Sequence, residues 1–510
     1  VAGRLQLLFT PNDKLRILFN LHAHSLQGTA RLFRANIVQQ GTEDFVDGFE
    51  RDQISIDGQN SQFVQQLGFT TNLQYDFDLF TLTSITGYEG LQTLSRGDID
   101  GGFGAGAGSG PGFIPFPSET ADGIPELRQI TQEVRLASND WDKFNVQVGS
   151  YFFYEDLEID SFSFNTLGGG GENGRAQQRQ ETRSFALFGS ATYDVLDNLR
   201  IAGGLRYTDD QKNFVASRSQ SPIGGAPIDR LSARPSDTFV SWDASISYQP
   251  LDEYNVYARV ARSFRAPSIQ GRVLFGNSLS VADSEKIISV EGGVKAELFD
   301  RRARINLAGF FYELSDQQLT AVGGNANFNT LLNADKSVGY GFEADAQFVP
   351  VAGLAISMGV SFNHTEIQDE DLAIAPCGAP CTVLDPEGPV PGSVLIDGNP
   401  LPHAPEWIFN STLRYGMPVN AEGELFLFAD LAYRSRISFF LYQSREFTDA
   451  SLVELGLRVG YTRFDGSFEA ALFSRNLNNN LSRTGGIDFN NLTGFVNEPR
   501  TFGAEMRFAF

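Results

Sequence analysis

Cysteine is almost missing from this chain: 510 residues hold 2, Cys377 and Cys381, both in "APCGAPC". A lone C-x3-C with no second pair is a poor zinc site, and its Gly-Ala-Pro spacer suits a tight closed loop. We therefore expect a small disulfide, no metal site and no cofactor. A disulfide implies an oxidising, extracytoplasmic setting. Histidine is nearly as scarce, with His22, His24, His364 and His403 the whole supply. A triad would have to draw on these few, the G-x-S-x-G elbow and the metalloprotease helix are absent, and no enzyme is expected. No window reaches the ~18 apolar residues of a membrane-crossing helix. Basic charge is also short, 39 Lys and Arg against 62 Asp and Glu, and a net charge of −23 argues against a nucleic-acid partner. There is no Pro- or Ser-rich linker and no charge block, so residues 1–510 read as one domain. The opening "VAGRLQLLFT" lacks a signal peptide and reads as a mature or truncated start.

What the chain has in abundance is glycine (52) and phenylalanine (44), a composition that favours strands over helices. Apolar and polar residues alternate with period two in segment after segment. In "SFALFGSATYDV" Phe185, Leu187, Ala191, Tyr193 and Val195 share one face, and Ser184, Ser190, Thr192 and Asp194 the other. "KFNVQVGSYFFY" sets Phe144, Val146, Val148, Phe152 and Tyr154 against Asn145, Gln147 and Gly149. "GFEADAQF" and "VELGLRVGY" follow the same rule. The pattern predicts nineteen strands, at 3–10, 14–26, 62–76, 79–91, 125–138, 143–158, 180–194, 199–212, 236–249, 254–265, 285–299, 302–316, 336–348, 354–366, 404–416, 424–435, 449–462, 467–478 and 498–510.

The connections alternate too. Short turns ("PND", "DFD", "NDWD", "VLDN", "PLDE") are each followed by ~20 or more residues of loop rich in Gly, Pro, Asn and Asp. Sandwich strands have a mode near ~5–6 residues, whereas many here run to about a dozen, enough to cross a bilayer at a tilt. The opposite face is wet, and Tyr and Phe gather near strand ends, at 75–77, 151–154 and Tyr433. The fold class expected is all-β, a transmembrane antiparallel β-barrel closed into a cylinder, in contact with outer-membrane lipid. The last strand would turn Phe502, Met506 and Phe508 to lipid, with Phe510 as an interface anchor. Nineteen is odd and single-chain bacterial barrels are even, so we expect an N-terminal truncation; three more strands would give about 22, a size whose lumen needs a plug.

Several stretches, "YARVARSFRAPS", "GLRYTDDQK", "VEGGVKAELFDRRARINLAGFFYEL", "GYGFEADAQF", "LFSRNLNNN" and "EPRTFGAEMRFAF", together resemble the C-terminal barrel of a TonB-dependent outer-membrane receptor. The resemblance implies energised import of a scarce small-molecule ligand, such as a ferric siderophore or other metal chelate. A plug fills the barrel of such receptors, and the TonB complex pulls on a periplasmic box. Neither plug nor box is found in these residues, so the TonB complex would act through the missing N-terminal part. A passive porin or specific channel stays open as the alternative, as does a purely structural surface barrel.

Candidate ligand contacts lie on the wet face. His22 and His24 share it with Arg16 and Asn20 near the outer mouth; ordinary polar lumen residues are the competing reading. Arg259 and Arg265 share a face with Asn255, Tyr257 and Ser263, where they would attract an anionic chelate or buttress a plug. Arg206, Glu343, Asp345 and Arg458 have the same ambiguity. "GDIDGG" and "TEDFVDGFERD" lack EF-hand spacing and read as solvated acidic loops before calcium sites. "GAGAGSG" has no helix to present to a phosphate and is rejected as a dinucleotide loop.

Overall fold

The protein is described by a computed structural model over residues 1–104, 111–114, 118–139, 141–166, 170–323, 328–488 and 491–509. Nineteen long antiparallel staves build one wall: Ala2–Asn12, Leu15–Gly28, Ser61–Asp76, Phe80–Asp98, Glu119–Ser138, Phe144–Asn165, Gly171–Leu196, Leu199–Gln220, Ser236–Leu251, Tyr254–Arg265, Glu285–Leu298, Ala303–Gly323, Phe328–Val351, Leu354–Gln368, Trp407–Pro418, Gly423–Arg434, Leu452–Arg463, Phe468–Arg475 and Thr501–Phe508. A short piece, Ile228–Ala233, continues the ninth stave beyond Arg234 and Pro235; proline has no N–H to give the ladder at that break. Each stave pairs with its sequence neighbours, as in the register that runs from Phe144↔Tyr193 to Asn165↔Gly171. None of the described helices is long and apolar enough to cross a membrane.

Alternation decides which face is which. Leu187, Leu205 and Val240, on three neighbouring staves, are 52%, 63% and 50% exposed; Leu187 and Val240 both stand opposite Tyr207, and Leu205, two residues before it, shares its outward face. Water would penalise so much bare hydrocarbon at ~25 cal/mol per Å²; lipid does not. Phe502, Met506 and Phe508 share that outward face, while Glu505 between them reaches inward to Arg458. Aromatic pairs mark the rims: Tyr75 with Phe77 at 4.6 Å, Phe80 with Trp141 at 4.9 Å and Phe362 with Trp407 at 4.9 Å. Phe510 and most of "GAGAGSG" lie outside the described residues.

Ala2–Asn12 pairs only with Leu15–Gly28, and Thr501–Phe508 only with Phe468–Arg475, so among the described residues no ladder joins the two. Both run from the long-loop end to the short-turn end, as an odd number of staves requires. One expectation is revised: two of the expected long loops are extended strands. Residues 159–179 and 317–335, read as loop, mostly continue the hairpins Phe144–Asn165/Gly171–Leu196 and Ala303–Gly323/Phe328–Val351. Above the membrane belt the alternation persists with its polarity reversed. Asp156, Glu158 and Asp160 take the outward positions that Phe152 and Tyr154 hold below them.

The largest buried apolar cluster joins the long connections to the outer ends of the staves: Ile37, Ile396, Leu441, Tyr442 and Phe447 from the connections pack with Ile367 and Leu319 of the staves.

Candidate ligand-binding mouth

The inner face of the wall is laced by cross-strand polar pairs, because side chains at facing positions of neighbouring strands meet. Tyr257 donates to Glu291 at 2.5 Å, Asn306 to Asp345 at 2.9 Å, and Arg458 joins Glu469 and Glu505. Arg206 lies over the rings of Tyr151 and Phe188, at 5.5 and 5.7 Å.

His22 and His24 do share a face. His22 Nε2 sits 3.0 Å from Glu89 Oε1 and its Nδ1 is 3.2 Å from the Asn20 amide, so this imidazole is already engaged on both nitrogens. Gly68 lies between His22 and Glu89 in the register; a Cβ there would overlap both side chains. His24 stands opposite Gln66, nearer the mouth. Arg259 faces Glu291 in the register, and its Nε is 3.8 Å from Asp243. Arg265 stands opposite Glu285, with no ion pair among the described residues. The histidine pair and the arginine pair are eight staves apart, nearly half-way round the wall, and form no single cluster.

Over this lumen sits the cap, and its polar fastenings were invisible in the sequence. Glu446 is fully buried and accepts four bonds: from Gly41 N (2.6 Å), Thr382 N (2.9 Å), Thr382 Oγ1 (3.1 Å) and Ser444 Oγ (3.0 Å). Burial pushes its carboxyl up, but those donors outweigh it and hold Glu446 below the usual range. Asp488 accepts from Gly378 N (2.6 Å) and Ala379 N (2.9 Å), the two N–H groups inside the ring closed by Cys377 and Cys381, which are bridged with Cα atoms 6.5 Å apart. Arg483, buried, gives its guanidinium to the carbonyls of Glu43, Thr448 and Glu446, and burial lowers its pKa. Arg434 meets Asp449 at 2.5 Å, and Asp449 Oδ1 also takes the Arg483 N–H at 3.0 Å. Apart from Arg434, at the end of its stave, these groups lie in connections with no periodic pattern, so no sequence signal marked them.

Asp44, Asp47, Glu50 and Asp52 of "TEDFVDGFERD" are exposed, but "GDIDGG" is not solvated, contrary to expectation. Asp98 and Asp100 are buried. Asp98 accepts from Asp57 N (2.9 Å) and Gly58 N (2.7 Å), and Asp100 from Gly102 N (3.0 Å) and Ser118 N (2.6 Å). Burial, with the Asp98 charge beside it, pushes Asp100 up to about 9. Gly101 turns between them at φ 72°, where a Cβ would stand 2.6 Å from the Phe33 carbonyl carbon. Among the described residues no cluster of His, Cys, Asp or Glu is arranged to hold a metal ion. First and last loops interlock above: Arg34 and Gly494 form a β-bridge, and Phe33 lies 4.8 Å from Phe495.

A strand wall with a greasy outside, a polar inside and a packed outer cap is the arrangement of a gated pore. The family model described as TonB dependent receptor-like, beta-barrel, matches residues 19–492. The chain belongs to this family. As a TonB-dependent receptor barrel it resides in the bacterial outer membrane. Over 167 residues it is 26% identical to the pesticin receptor of Yersinia pestis; that stretch is 32% of this chain and 23% of the relative, well under two thirds of its length. Its fold is similar to that of the ferric yersiniabactin uptake receptor FyuA from Yersinia pestis, with a TM-score of 0.78, 17% identity, and coverage of 100% of this chain and 70% of that one. It is also similar to the siderophore receptor PiuA from Acinetobacter baumannii, at a TM-score of 0.75, 13% identity, and coverage of 99% and 73%.

Proposed function

We propose that this barrel is the wall and mouth of an energised importer that takes a scarce metal chelate, of the ferric-siderophore class, into the periplasm. The observation that carries the reading is the family match across 19–492, joined to long connections that pack together at the outer end of the wall. The names of the similar receptors, for ferric yersiniabactin and for siderophores, support the substrate class. A passive channel would work best with an open mouth, and the cap disfavours that alternative. Import of this kind is driven through a plug and a short periplasmic box that meets the TonB complex, and we assign both to the parent polypeptide. On the inner face, Arg259 and Arg265 stand where an anionic chelate or a polar plug surface would meet them. His24 is the freer of the two histidines, and His22 serves the wall through Glu89.

The test is uptake of a labelled ferric chelate under iron limitation in a deletion strain carrying the full receptor. Uptake should return with the receptor and vanish when TonB is removed. Uptake that persists without TonB would refute energised import. Restored growth on a carbon source, with no effect of iron, would refute the substrate class.

A further inference from the structure

A small cavity of about 220 Å³ lies within the cap, between the connections 29–60 and 99–118. Backbone bonds fix its frame. Ala35 N donates to the Gly101 carbonyl at 2.8 Å and Gly112 N to the Ala35 carbonyl at 2.9 Å. Arg34 exchanges two more with Gly494 of the last long connection, at 3.2 and 3.0 Å. Glu50 and Gln53 on its lining are exposed, so solvent reaches it.

Two opposite charges line this cavity, and neither is matched. Among the described residues half-buried Arg34 forms no ion pair: its buried Nε donates to nothing, and its Nη2 gives a bond of 3.1 Å to the Arg51 carbonyl. Burial lowers its pKa, and the Glu498 charge offsets that only in part. Glu50 accepts from the Gln53 amide and likewise forms no ion pair among the described residues. The two do not meet each other. A half-buried guanidinium without a counter-charge is costly until something supplies one.

The remaining lining is greasy. Ile37 is buried, and Phe49 and Ile54 stand beside it with apolar surface to spare. An occupant therefore needs an anion for Arg34, a cation for Glu50 and a compact hydrocarbon body. A plain carboxylate leaves Glu50 unmatched and a plain amine leaves Arg34 unmatched. An α-amino acid with an aliphatic side chain carries all three groups on one carbon. Size agrees: drug-sized ligands occupy ~300–1,000 Å³, so this cavity takes something smaller and is too tight for a whole metal chelate.

We propose that the cap holds a site for one aliphatic α-amino acid, its carboxylate on Arg34, its ammonium on Glu50 and its side chain against Phe49 and Ile54. Both connections line the cavity, so the occupant fastens one to the other. The site is separate from the lumen and does not depend on what the barrel imports. The full receptor in mild detergent, titrated by calorimetry, should bind L-leucine, L-isoleucine or L-valine at about one per protein. Binding should slow amide exchange at Ala35 and Gly112. Isocaproate (leucine without its ammonium), isoamylamine (leucine without its carboxylate) and glycine should each bind at least about tenfold more weakly than L-leucine. Glu50→Gln should weaken L-leucine and spare isocaproate, and Arg34→Gln should weaken both. No binding of the three amino acids at millimolar concentration would overturn the site, as would isocaproate binding as tightly as L-leucine. Binding that leaves exchange at Ala35 and Gly112 unchanged would place the ligand elsewhere and overturn it too. Glu50 is exposed, so its variant decides the matter if Arg34→Gln does not assemble its cap.

Discussion

Glu446 gathers donors from three separate stretches of chain, Gly41, Thr382 and Ser444. Replacing it with alanine leaves buried N–H groups without acceptors, at about 1–3 kcal/mol for each group orphaned. Glu446→Ala should open the cap to proteolysis and hydrogen exchange at residues 37–49 and 380–384 while the wall stays intact. Because its pKa is depressed, the stabilisation is present above the ordinary carboxyl range and is lost as pH falls through the folded value. Exchange at Gly41 and Thr382 should therefore accelerate in acid. Asp100 has the opposite sign. Its pKa is raised to about 9, so its contribution is complete below the ordinary value near 4 and declines as pH rises toward 9. Protection at Gly102 and Ser118 should weaken in alkali, and Asp100→Asn should flatten that dependence. None of this was legible in the sequence. An acidic side chain among polar neighbours reads as solvated, and only the tertiary fold buries Asp100 or brings Glu446 to the Gly41 N–H, 405 residues away.

The strands were legible because lipid on one side and water on the other impose a period of two on every stave. The wall's register can be tested at Leu205, which points to lipid. Leu205→Arg should cost about 2–4 kcal/mol near the bilayer midplane, whereas arginine at inward Ser190 should cost far less; unfolding in vesicles by denaturant reads both. Hairpin extensions were misread as loops where polarity reverses above the belt: Asp156, Glu158 and Asp160 continue the alternation but carry charge outward. A reader of greasy outward faces stops at Tyr154. In the cysteine loop, alkylation without reductant should label neither Cys377 nor Cys381. Asp488→Ala should speed reduction of that bond, since the Gly378 and Ala379 N–H groups would lose the carboxylate that fixes the ring.

Across the whole molecule, candidate site and fold part company. The polar face announced a lumen, and His22 and His24 share one face of their stave. The sequence could not say that His22 is already occupied by Glu89, or that the two arginines stand nearly half-way round from it. Above the wall, the first and last long connections interlock at Arg34 with Gly494 and at Phe33 with Phe495.

Those interlocks span nearly the full length of the chain, as does the bond from Gly41 to Glu446, 405 residues apart. Contacts so remote in sequence form slowly, because so much chain must be ordered before they are rewarded. During assembly the hairpins can zip in turn from one neighbour to the next, but the crown waits for the final residues to arrive. A pulse-labelling experiment should find the staves protected early and Gly41 and Gly494 late, so that a nascent receptor stands in the membrane with its entrance briefly unlatched.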